Sequence, residues 1–286
     1  MVADLKELWR FRELLWAMVE RELRIRYKNS FLGFFWSLIN PLLTMLVMTL
    51  VFKVFLRNET ENYTAYVFAA YLPFMFINLA IMDSAQSVIV ALPVVKKVYF
   101  PREILPLASV LANFVHFLLA LVVFFAFLFF TWARTGFAAT PFTWKIGFLP
   151  VMLVVTLALT IGSSLIISAL NVFYEDVKYV VGVLLYLAFF LTPIMYFSEN
   201  VQASLRDKGL GNLYYVYHLN PLAELATTYK KTLVPNGLVD VGQGVRMNPI
   251  PQNWPLFFFT AGFSFLILVL GYQLFNRMKW RFVERP

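Results

Sequence analysis

Residues Arg21–Pro41 read RELRIRYKNSFLGFFWSLINP and pass from a basic cluster into an apolar run without a break. Arg21, Arg24, Arg26 and Lys28 place four cations in eight positions, and the following 24 residues, Asn29 to Phe52, carry no formal charge. About 20 apolar residues cross the ~30 Å hydrocarbon core as a helix, and Lys and Arg flanking such a run stay on the cytosolic side. The junction reads as a basic anchor joined directly to a first membrane span.

The rest of the chain has the same character. Of its 286 residues 60% are hydrophobic and only 14% are charged, with a mean hydropathy of +0.71. A soluble domain of this composition would expose very large apolar patches. The apolar stretches are long rather than ten-residue alternating segments, so the fold class is an all-α polytopic membrane protein rather than a barrel. The net charge of +8 comes from cations that flank apolar runs, which fits membrane topology and not nucleic-acid binding. With no cysteine, disulfides, thiolate metal sites and cysteine nucleophiles are excluded. The first 28 residues mix seven basic with five acidic side chains and lack the continuous apolar core of a cleavable signal.

Residues 4–28 are expected to form an amphipathic interface helix, with Leu5, Leu8, Trp9, Leu15, Trp16, Val19 and Leu23 on one face and Lys6, Arg10, Glu13, Glu20 and Arg24 opposite. Such a helix anchors to lipid, or also touches a cytosolic partner; the sequence leaves both open. Six spans follow, at 33–54, 64–86, 105–131, 147–170, 180–197 and 254–275, with a 198–253 segment between spans five and six and a 276–286 tail. No linker or internal repeat divides this single membrane domain. The N-terminal segment, the 87–104 and 171–179 loops and the tail together hold 15 cations, against four in the short loops of the other side. The positive-inside rule therefore makes both termini cytosolic. Trp132, Trp144 and Trp254 then fall near the outer interface and Trp280 near the inner one.

Chemistry-bearing residues are sparse. Asp83 falls near the cytosolic end of span two, and His116, midway along span three with no acidic residue beside it, reads as a packing histidine more than a proton relay. Glu175 and Asp176 are adjacent and so diverge by ~100 degrees on a helix instead of sharing a face. No carboxylate or histidine cluster suggests catalysis, and no metal ligands are expected. GxxxxGK[ST] is absent from the sequence, so no phosphate cradle is encoded and any Mg-ATP must be bound by another chain. The 31 Phe, 14 Tyr and 7 Trp are mostly packing and lipid-facing rings. Tyr and Trp inside spans, with polar tips and flat faces, suit the apolar faces of sugars.

Residues 21–41, together with LPVVKKVYFPREILP at 92–106, resemble the membrane subunits of ABC-2 type exporters for polysaccharides and polyol phosphates. The resemblance implies a half-transporter: a homodimer with two copies of a cytosolic ABC ATPase in the bacterial plasma (inner) membrane, moving a lipid-linked O antigen, capsular polymer or teichoic acid. It implies that Pro93–Pro106 forms a coupling helix, with Lys96, Lys97, Tyr99, Phe100, Arg102 and Glu103 transmitting motion and Glu175, Asp176 and Lys178 forming a second ATPase contact. Trp9, Trp16, Arg21, Arg24 and Arg26 would belong to the interface helix beside the ATPase. Phe35, Trp36, Asn40, Tyr71, Tyr186, Phe189, Phe190 and Tyr196 would line the substrate channel formed by spans one and five, kinked at Pro41 and Pro193. External gate helices are expected near 199–207 and 220–233. Asn220 and Pro221 would start the second, Tyr229 would lie on its apolar face, and Lys230 and Lys231 would be either a solvated end or phosphate contacts. Two rivals remain in view: an ABC-2 permease for drugs or simple lipids, and a membrane-embedded glycan-modifying enzyme.

Overall fold

Proline and asparagine set the starts of several helices in the computed structural model, which describes residues 2–27, 35–55, 62–95, 97–134, 144–234, 239–240 and 246–283. The chain runs through α1 (Val2–Arg10), α2 (Arg12–Tyr27), α3 (Trp36–Thr49), α4 (Tyr63–Val95), α5 (Ile104–Arg134), α6 (Leu149–Phe173) and α7 (Val177–Leu191). It continues through α8 (Ser198–Asp207), α9 (Leu213–His218), α10 (Pro221–Leu233) and α11 (Trp254–Met278). A two-residue antiparallel pairing, Val239–Asp240 with Arg246–Met247, precedes α11. Asn220 caps α10 by accepting from the Leu222 amide at 3.0 Å, and Asn253 caps α11 through the Leu256 amide at 3.3 Å. Each cap is followed by a proline in the first turn, where its missing N–H costs no helical bond.

Among the described residues four segments are long and apolar enough to cross a membrane: Tyr63–Pro93, Ile104–Arg134, Trp144–Phe173 and Trp254–Phe282. Leu38–Thr49 and Val177–Leu191 are shorter apolar helices. The protein is thus a multi-pass, helical membrane protein. Residues 33 and 34 of the expected first span, and Lys28 of the interface helix, lie outside the described residues; α3 continues past Thr49 as a π-helical turn, Leu50–Phe55.

Two expectations need correction. Pro193 does not kink span five: α7 ends at Leu191, and Thr192 is already extended with ψ 137°, the conformation that the following proline ring imposes. The 97–103 segment is a turn between α4 and α5 rather than a coupling helix, since Pro101 withholds an amide and pushes Phe100 out of the helical region.

The core lies between α4, α5, α6 and α11. Small residues allow the last two to touch: a Cβ on Gly162 would stand 2.6 Å from the Ile267 carbonyl, and one on Gly271 would strike the Gly162 carbonyl. Close backbone approach of this kind replaces hydrophobic driving force where the solvent is lipid. Several buried hydroxyls are satisfied by their own helix, as in Thr160 Oγ1 to Thr156 O at 2.7 Å and Ser264 Oγ to Thr260 O at 2.7 Å. Asn171 crosses between helices, donating to Ala85 O at 2.8 Å and accepting from the Lys178 amide at 3.1 Å.

Candidate functional site

One end of the bundle gathers α1, the 97–103 turn, the α6–α7 corner and the end of α11. Lys279 donates to Glu103 at 2.7 Å and pairs with Asp4 at 3.6 Å, while Arg102 donates to the Lys279 carbonyl. The Tyr99 hydroxyl donates to Glu7 at 2.9 Å, and that carboxylate raises the pKa of the phenol. Phe100 joins Val172, Phe275 and Phe282 in a buried cluster, which seats the turn beside the corner at 174–178.

The expected coupling residues therefore fall into two sets. Phe100 and Glu103 are buried and fasten the turn to the bundle. Lys97, Tyr99, Glu175 and Asp176 are exposed, and Lys178 rests its ammonium 4.8 Å from the Tyr179 ring. Lys96 lies outside the described residues.

The interface helix breaks at Phe11 into α1 and α2. Val19 is buried against Ala108 and Ala112 of α5, with Leu15 and Leu23 packed around them, whereas Trp9 and Trp16 are exposed. Arg24 pairs with Glu20 at 2.5 Å, and Arg21 lines a cavity of about 370 Å³ between α2, α4 and α5. Arg26 does more than mark topology. Its guanidinium donates to Asp83 at 2.5 Å and to Asn113 at 3.0 Å, and Asn113 donates to the same Asp83 oxygen at 2.8 Å. This three-helix network escaped the sequence reading, although a lone carboxylate in an apolar run and a cation just ahead of another run were its signal.

Above that network lies a cavity of about 560 Å³ between α3, α4 and α5, lined among others by Arg26, Trp36, Asn40, Tyr71 and His116. Three expected channel residues, Trp36, Asn40 and Tyr71, thus meet at one space. Phe35 is exposed beside it. The span-five rings lie elsewhere, because α3 packs on α5 and α4 while α7 packs on α4 and α6. Tyr186 and Phe190 are exposed, Phe189 sits edge-on to Phe74 at 5.5 Å, and Tyr196 bonds to the Tyr217 hydroxyl at 3.0 Å.

The opposite end carries α8, α9 and α10. Tyr229 is fully buried, its hydroxyl 3.1 Å from Thr156 Oγ1. Lys230 and Lys231 are each 2% exposed, so neither is a solvated helix end. Lys230 donates to the Tyr196 carbonyl at 2.9 Å with its ammonium 4.7 Å from the Tyr66 ring. Lys231 pairs with Glu199 at 3.6 Å. Burial pushes both lysine pKa values down, with Glu199 opposing the shift. Nearby, His218 Nδ1 lies 2.8 Å from Glu224 Oε2, whose other oxygen accepts from Gln252 Nε2 at 2.9 Å. Glu224, Thr228 and Lys231 at i, i+4 and i+7 hinted at this shared face; Glu199, supplied from another helix, had no such signal.

The structure joins a bundle of apolar helices to an N-terminal helix pair, of which α2 packs on α5, and to a turn fastened to the end of α11. Residues 13–226 match the ABC-2 type transporter model, and the chain belongs to that family: it is a membrane-spanning transport subunit, not an enzyme. It is 32% identical over 240 residues, 84% of this chain and 87% of the relative, to the O-antigen export system permease protein RfbA of Myxococcus xanthus. It is also 28% identical over 272 residues, 95% of this chain and 94% of the relative, to the O-antigen export system permease protein RfbA of Klebsiella pneumoniae.

Proposed function

We propose that this chain is the permease half of an ATP-driven exporter that moves a lipid-linked polysaccharide or polyol-phosphate polymer across the bacterial plasma membrane. Its similarity to O-antigen export permeases along nearly its whole length carries this reading. Two copies form the pathway, and two copies of a cytosolic ABC ATPase bind Mg-ATP. All six apolar helices span, α3 and α7 with the help of flanking residues and local thinning of the bilayer. Both termini face the cytosol, as does the 97–103 turn.

In this arrangement the ATPase meets the exposed Lys97, Tyr99, Glu175 and Asp176. The buried Phe100 and Glu103 pass its motion to α11, because a turn tied to a packed helix moves with it. The apolar outer faces of α3, with Leu42, Leu43 and Leu46 exposed, and of α7, with Val183, Leu184 and Tyr186 exposed, meet their copies and enclose the aromatic path. Helices α8 and α10 stand at its outer mouth as the gate.

The test is ATPase stimulation. The purified permease–ATPase complex in nanodiscs is expected to hydrolyse ATP faster with lipid-linked glycan and not with hydrophobic drugs; stimulation by drugs alone would place the chain among drug or simple-lipid permeases.

A further inference from the structure

A cavity of about 320 Å³ lies at the α10 end of the bundle, walled by α8, α9, α10 and residues 250–256, which lead into the first turn of α11. Three of its lining residues, His218, Thr227 and Gln252, carry buried polar atoms that find no hydrogen-bond partner among the described residues: Nε2, Oγ1 and Oε1 respectively. His218 is 1% exposed and Thr227 3%. Leaving such a group unsatisfied forfeits its hydration without compensation, and orphaned buried groups are uncommon enough in native proteins that each asks for an explanation.

Two of these side chains are held rigidly by their other ends. His218 is fixed through Nδ1 to Glu224 at 2.8 Å. The Gln252 amide nitrogen is fixed to Glu224 and to Thr228 Oγ1, both at 2.9 Å. Their second polar atoms are thereby set in place before any ligand arrives, which lowers the entropic cost of binding one.

The charge balance narrows the ligand. Lys231 in the wall is matched by Glu199 at 3.6 Å, and the Glu224 carboxylate shares the same wall. An anion would meet Glu224 and a cation would meet Lys231, so neither is favoured. A neutral group bearing several hydroxyls suits the site: each hydroxyl both donates and accepts, as Gln252 Oε1, Thr227 Oγ1 and His218 Nε2 together require. Aromatic rings complete the wall, with Tyr215 55% exposed and Trp254 37% exposed; such faces stack on the C–H surface of a sugar ring. The volume sits at the low end of the ~300–1,000 Å³ typical of small-ligand sites, enough for one sugar and its linkage rather than a chain.

We propose that this cavity is a subsite for a single uncharged sugar unit of the exported glycan, engaged where the polymer leaves the bundle. The inference rests on the glycan-export reading above. It is separate from the α3–α5 cavity and from the exposed rings of α7.

The permease–ATPase complex in nanodiscs is titrated calorimetrically with the saccharide released by mild acid from the host's own lipid-linked polymer. Saturable binding is expected. Thr227→Val removes only an unpartnered hydroxyl and should weaken binding about two- to tenfold while the melting temperature stays within about 2 °C or rises. Tyr215→Ala, at an exposed ring, should weaken it by at least as much. Glycan-stimulated ATPase activity of the wild type is measured on the same preparation. With stimulation present, saccharide binding that is absent, or equal in the wild type and both variants, overturns the subsite and leaves the export reading standing. Without stimulation the export reading falls and the subsite falls with it.

Discussion

Glu103 carries a carboxylate 2% exposed to solvent, and the Lys279 ammonium stands 2.7 Å away. Removing one member of a buried pair strands the other, at a cost of about 3–5 kcal/mol, whereas replacing both with apolar side chains of similar volume is often neutral. Glu103→Ala should therefore lower thermal stability in detergent sharply, and Glu103→Leu combined with Lys279→Met should restore most of it. If the single and double variants melt alike, the pair does not hold the turn. The exposed side of the same turn behaves differently: Lys97→Ala and Tyr99→Ala should leave the melting temperature within about 2 °C while lowering ATPase association, measured by co-purification. At this scale the sequence marked the stretch as a whole but not the division within it between buried and exposed side chains. Arg102 and Glu103 are neighbours, yet only a residue 176 positions away in the chain determines that Glu103 faces inward. The same holds for Arg26, which the charge count explained as an anchor and the packing joins to Asp83 and Asn113.

The pairing of α6 with α11 depends on two glycines, so its tolerance to substitution should be uneven. Gly162→Leu and Gly271→Leu force backbone against side chain and should abolish a monodisperse peak in size-exclusion chromatography. Gly262→Ala, whose added methyl meets open space, should elute as wild type; equal behaviour of all three would mean that the seam is not a close backbone contact. Long apolar helices were legible because hydropathy and length alone define them: α5 runs over Ile104–Arg134 where 105–131 was expected, and α11 begins at Trp254 as expected. Turns were less legible. Pro193 lies beyond a helix end, not inside a kink, and the 97–103 segment is not helical, since both outcomes depend on where the neighbouring helix has already stopped. The α10 helix was readable from Asn220-Pro221, but the burial of its lysines was not, because the carboxylate facing Lys231 comes from α8.

For the whole molecule, the buried lysines and glutamates segregate to the two ends of the bundle, one built on Lys279 and Glu103 and the other on Lys230, Lys231, Glu199 and Glu224. In the proposed exporter such separation would set an ATPase-facing end apart from a gate end, with packed helices between. Because the chain has no cysteine, the proposed dimer is directly testable. Leu184→Cys on the outer face of α7 should form a disulfide-linked dimer on mild oxidation in membranes, whereas Val122→Cys, exposed on α5, should remain monomeric; the reverse pattern would move the pathway to α5. The most direct measurement of the central claim is transport itself. The permease–ATPase complex is reconstituted in proteoliposomes with lipid-linked glycan, and the glycan reaching the opposite leaflet is read with a membrane-impermeant lectin. The account predicts accumulation that requires Mg-ATP and disappears when the ATPase is omitted; glycan that stays in its original leaflet while ATP is hydrolysed would contradict it.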